Sequence, residues 1–121
     1  MLVLFVSCAQ GVAAAPTVPY RPPAPGAPVL DPFRLPEGPY GAGNRGLEYA
    51  TEPGGPVHAI GEGVVVFAGP VAGRLVVSVE HPDGLRSSLT GLASVTVAAG
   101  AAVRLGDQVG LAGGRLHLGV R

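Results

Sequence analysis

The chain has no lysine, no tryptophan, a single cysteine and only 13% charged residues. Each shortage removes a class of function. All eight basic side chains are arginines, so no amine is available for a Schiff base, a lipoyl or biotinyl attachment, or the phosphate contact of a P-loop. The formal net charge is zero, and nothing suggests the basic surface that grips nucleic acid. Cys8 is alone and cannot form an internal disulfide. With three phenylalanines and three tyrosines, the core has to be built from Val, Leu and Ala, and Val favours strands.

What is abundant points the same way. Hydrophobic residues make up 47% of the 121 positions, enough for the core of one domain and too many for disorder along the whole length. Twenty glycines and 13 prolines favour a turn-rich fold over a helical one.

Residues Met1 to Ala15, MLVLFVSCAQGVAAA, join an apolar run to a cluster of small residues. That is the shape of a secretory signal peptide, and Val12 and Ala14 fit its −3 and −1 positions. It implies a secreted, extracytoplasmic protein. The segment lacks the usual positively charged start, and a short buried strand is the alternative reading. The apolar stretch is too short for a transmembrane helix. Phe5-Val6-Ser7-Cys8 has a faint likeness to a lipoprotein acylation box, which would make Cys8 a lipid anchor. Otherwise Cys8 is a small apolar residue removed on maturation. Membrane contact is expected only through this segment.

Residues 16–39 hold nine of the 13 prolines and read as an extended, semi-rigid linker. Tyr20-Arg21-Pro22-Pro23 could dock in an aromatic groove, although a plain tether is the simpler reading. Asp31-Pro32-Phe33 is where the folded part is expected to begin, with Phe33 as an early anchor.

From Tyr40 to Arg121 the pattern is strands and turns. Leu47 to Thr51 alternates, Pro56 to Ile60 follows the Gly54-Gly55 turn, and Val64 to Ala68 is a buried run bounded by Gly69-Pro70. Arg74 to His81 and Leu85 to Leu89 form a hairpin about Pro82-Asp83-Gly84. The last strand is expected over Arg115 to Val120. Between Val97 and Gly110, Val and Gly alternate at three-residue spacing, which suits tight turns linking short strands. The fold class is all-β: a small barrel-sandwich hybrid of antiparallel strands.

The order of these segments resembles the LytM/lysostaphin family of zinc metallopeptidases, which are murein endopeptidases. Asn44-Arg45-Gly46-Leu47-Glu48 looks like the family's His-x-Gly-x-Asp motif. Pro56 to Val65 looks like its PV-x-A-x-x-x-G-x-V strand pair, and Glu80 to Leu85 like its hairpin turn. Leu89-Thr90-Gly91-Leu92 falls where the family has Tyr-x-His-Leu, and Arg115-Leu116-His117-Leu118 where it has His-Leu-His-Phe. By that resemblance the zinc ligands would fall at Asn44, Glu48 and His117.

A zinc hydrolase needs three protein ligands and an open position for water. His117 is a suitable ligand. Glu48 keeps a carboxylate but is one methylene longer than Asp. Asn44 offers a neutral amide oxygen that suits calcium better than zinc, and it reads equally well as a turn residue. Two further family histidines, which assist proton transfer or stabilise the oxyanion, fall at Arg115 and Gly91. A guanidinium is always protonated and cannot act as a base, and glycine has no side chain. His58 and His81 show no metal spacing. Glu48 and Arg115 could instead form an ion pair that replaces the metal as a strut, or bind a peptide carboxylate.

The resemblance therefore implies a degenerate, non-catalytic member that needs no cofactor and binds peptidoglycan or regulates a wall hydrolase. The alternatives are an active zinc murein endopeptidase and a purely structural envelope module. Family members usually continue past the last motif, so the final strand here is expected either to belong to a truncated sequence or to form an unprotected edge.

Overall fold

The computed structural model describes residues 18–31 and 46–121. Among them every regular element is a strand. In chain order these are β1 (Val29–Asp31), β2 (Gly46–Ala50), β3 (Pro56–His58), β4 (Gly63–Val71), β5 (Arg74–Glu80), β6 (Arg86–Val95), β7 (Ala102–Val103) and β8 (Gln108–Val120). All pairings are antiparallel. The sheet runs β1-β2-β8-β6-β5-β4-β7, with β3 also paired to β8. It bears out the all-β antiparallel class, and it is not closed into a barrel. The signal-like segment 1–15, Cys8 and Phe33 lie outside the described residues.

The longest strand, β8, organises the rest. β6 pairs with it from Val95 opposite Gly110 to Ser87 opposite Val120. Its other edge is shared, with β3 taking Gln108 to Leu111 and β2 taking Arg115 to Gly119. The expectation of an unprotected terminal edge is corrected here: the last strand is interior, with hydrogen-bonded neighbours on both sides. β8 also starts seven residues earlier than its apolar alternation announces. The glycines at 110 and 113 punctuate the sequence but serve close approach. A Cβ on Gly110 would collide with the Ser94 carbonyl, and one on Gly113 would lie 3.0 Å from the Gly91 carbonyl.

β4 likewise runs past Gly69-Pro70 to Val71. Beyond Val65, whose N–H donates to the Ala101 carbonyl and whose carbonyl accepts from Gly100, no strand pairs with it on the side of β7 among the described residues, so a proline there removes no ladder bond. The turn comes two residues later, at Ala72 and Gly73, whose φ values of 51° and 82° match the two positive-φ positions of a two-residue hairpin. The Val–Gly repeat resolves into two tight turns around β7. Ala101 N–H donates to the Ala98 carbonyl and Asp107 N–H to the Arg104 carbonyl.

Apolar side chains from every strand between β2 and β8 meet on the inner face. Val57, Val65, Val77, Val109, Leu89 and Leu116 are almost fully buried. The described part of the proline-rich stretch is extended and lies along the domain. Arg21 N–H donates to the Ile60 carbonyl, His58 N–H to the Pro23 carbonyl and Ala50 N–H to the Pro28 carbonyl, and β1 then pairs with β2. Tyr20 stands edge-on to His81, with ring centroids 5.1 Å apart, and donates its hydroxyl to Asp83 Oδ2 at 2.6 Å.

Two outcomes follow. Leu116→Ala empties a site at the middle of the central strand and should cost about 2–5 kcal/mol, read as a lower urea midpoint. Desolvation, then the Asp83 carboxylate that accepts its proton, pushes the Tyr20 hydroxyl from its ordinary 10 up to about 12. An acid raised on folding stabilises the fold while it stays protonated. That contribution is therefore complete below pH 10 and is lost as pH rises towards 12. Tyr20→Phe should weaken this alkaline loss in thermal melts recorded across that window.

Candidate functional site

Glu48 sits at the middle of β2, directly opposite His117 on β8, and His117 sits opposite Thr90 on β6. Side chains alternate across a strand, so these three stand in one row on the outer face of the sheet. The next row, Leu47, Leu118 and Leu89, faces the core. Here the sequence pattern and the sheet register converge: the residues at two separate motif positions, 48 and 117, become neighbours.

Their contact is close. His117 Nδ1 lies 3.0 Å from Glu48 Oε2, and since a carboxylate accepts, the imidazole N–H donates. The Arg115 guanidinium approaches the other oxygen, with Nε 4.0 Å from Oε1. Glu48 is only 17% exposed and Arg115 61%, so the imidazole is the principal partner and the arginine a loose, solvated one. The anticipated pairing of Glu48 with Arg115 is present, but it is secondary. Nε2 of His117 is turned over two glycines. A Cβ on Gly46 would come within 2.9 Å of it and one on Gly119 within 3.8 Å.

The remaining motif positions are accounted for in different ways. Gly91 has φ +97° and sits at a register irregularity between Thr90 and Leu92. A Cβ there would run into the Arg115 carbonyl oxygen, so the backbone itself admits no side chain. Leu89 is 2% exposed and belongs to the core, on the face opposite His117. Asn44 lies outside the described residues.

The other histidines are held elsewhere. His81 is buried, donating Nδ1–H to the Glu62 carbonyl at 2.7 Å, with Nε2 2.8 Å from the Ser87 hydroxyl. His58 Nδ1 is 3.0 Å from the Gly106 carbonyl. Among the described residues no three of His, Cys, Asp and Glu converge to hold a metal ion. The described donors at the motif are one imidazole and one carboxylate, with a guanidinium alongside; a catalytic zinc ion takes three protein ligands, and the third motif position, Asn44, lies outside the described residues.

Sequence reasoning missed the residues that continue this face. Arg86, Ser88 and Thr90 of β6, with His117, Gly119 and Arg121, line an open cleft of about 420 Å³. The polar run Arg86-Ser87-Ser88, continued by Thr90, was the available signal. Reinstating a histidine at 91 tests the backbone constraint. Gly91→His should lose at least ~2 kcal/mol from the positive φ and the carbonyl clash, read by chemical denaturation, without acquiring zinc.

Comparisons with known proteins bear on the family and the fold. Uncharacterized proteins of Mycobacterium tuberculosis and Mycobacterium bovis are 47% identical over 70 residues, which is 58% of this chain and 27% of theirs. The chain thus spans about a quarter of the length of these relatives. Csd3 of Helicobacter pylori superposes with a TM-score of 0.76 at 26% identity, over 84% of this chain and 31% of that one. The catalytic domain of lysostaphin, an antimicrobial peptidase of Staphylococcus simulans, gives 0.65 at 25% identity, over 75% and 76%. A zinc-containing peptidase of Vibrio cholerae gives 0.72 at 24% identity, over 86% and 36%, a likeness of fold. The model of peptidase family M23 matches residues 42–120, and the chain belongs to that family.

Proposed function

We propose that this M23 domain binds a peptide of the bacterial cell wall without cleaving it, and acts outside the cytoplasmic membrane as a binding or regulatory module for wall hydrolysis. The observation that carries this is the state of Glu48. Its two oxygens face an imidazole N–H at 3.0 Å and a guanidinium at 4.0 Å, so the carboxylate that a metal would need is already engaged by protein donors. Gly91 and Arg115 supply no general base in place of the family histidines.

The open cleft beside this pair supports a binding role. It offers hydroxyls from Ser88 and Thr90 along an exposed sheet face, side-chain groups that can donate to or accept from the amides of a peptide. The signal-like run at 1–15 supports placement outside the membrane. Wall peptide as ligand is inferred from the family's substrate class, and regulation of a separate hydrolase follows as the use of a site that binds without cutting.

The discriminating experiment is zinc analysis of the purified protein, together with incubation on cross-linked peptidoglycan. The expected result is no stoichiometric zinc, no released muropeptides, and sedimentation of the protein with insoluble wall. Stoichiometric zinc with cleavage would make it a working murein endopeptidase. Absence of both zinc and wall association would leave a purely structural envelope module.

A further inference from the structure

Two arginines face each other at one end of the cleft. Arg86 N–H donates to the Arg121 carbonyl at 2.7 Å, and Arg121 N–H donates back to Arg86 at 3.0 Å. The two residues are therefore a directly opposed cross-strand pair, one step beyond Ser87 and Val120. By strand alternation their side chains lie on the same face as Ser88, Thr90 and His117, and both line the cleft. Like charges directly opposite each other destabilise a sheet. The charge is only half relieved: Glu80, opposite Arg86 on β5, approaches it at 3.5 Å with both side chains about half exposed. No ion pair within 4 Å is seen for Arg121 among the described residues.

We propose that Arg86 and Arg121 form a subsite for the free carboxylate of a short peptide lying along the β6–β8 face. Guanidinium groups match a carboxylate with paired N–H donors. The cleft contains no acidic lining residue. Its size of about 420 Å³ suits a ligand of a few residues. The hydroxyls of Ser88 and Thr90 stand two and four positions along the same strand face, spaced to meet the amides of an extended peptide whose acidic end rests on the arginines. His117 marks the other end of that track. A carboxylate between the guanidiniums would also complete the charge compensation that Glu80 begins at Arg86.

This inference rests on the peptide-binding reading above, and the test separates the two. The full chain is titrated by NMR with tri-alanine carrying a free C-terminal carboxylate, with the same peptide as its C-terminal amide, and with inorganic phosphate. The acid should bind at least about tenfold more tightly than the amide. Arg86→Gln and Arg121→Gln should each remove most of that preference, while Arg74→Gln, at the distant β4–β5 turn, should leave it unchanged. Both arginines are at the surface, so the variants are expected to fold, and their amide spectra verify it. Equal binding of acid and amide would overturn the carboxylate subsite and leave peptide binding standing. Phosphate binding as tight as the acid peptide would also overturn it, in favour of a general anion site. Failure of both peptides to bind would overturn both readings.

Discussion

The cross-strand contact between Glu48 and His117 is the constraint around which the outer face of this domain is arranged. It joins β2 to β8 at the middle of their paired segment. A buried row of leucines lies immediately beneath, so the register cannot slip by one residue without moving either the apolar row to solvent or the polar row to the core. The glycines at 46 and 119 leave room for the imidazole above them. The result is a carboxylate–imidazole contact at two of the family's three ligand positions, with a guanidinium alongside.

Much of the fold was legible in sequence because its signals are local. The Val-rich alternation announces β4 and β5, and the Pro82-Asp83-Gly84 turn announces their hairpin with β6. The failures were at glycine and proline, whose meaning depends on partners distant in sequence. Gly110 and Gly113 punctuate a sequence, yet here they let β6 press against a continuous β8. Pro70 reads as a stop, yet β4 runs on through it, paired there with β5 on one side only among the described residues. Whether the last strand is an edge or the centre of a sheet depends on which strands return to it, and no single segment carries that.

The site was legible in part for the same reason. Positions 48 and 117 could be marked from motif spacing, and the register brings them together. That Glu48 takes His117 rather than Arg115 as its main partner is a matter of side-chain reach across one ladder step. The role of Gly91 is sharper in the structure than in the sequence. A bare glycine there suggests a lost side chain, whereas its positive φ and the facing Arg115 carbonyl show a backbone that accepts none. The arginines at 86 and 121 are unremarkable 35 residues apart, and their opposition exists only in the paired strands.

The most direct test of the central claim is the nitrogen NMR spectrum of the His117 imidazole, recorded before and after addition of one equivalent of zinc. The account predicts a ring held as the Nδ1–H tautomer by Glu48, with resonances that zinc leaves in place. A zinc-dependent shift of either ring nitrogen, saturating at one metal per chain, would contradict it.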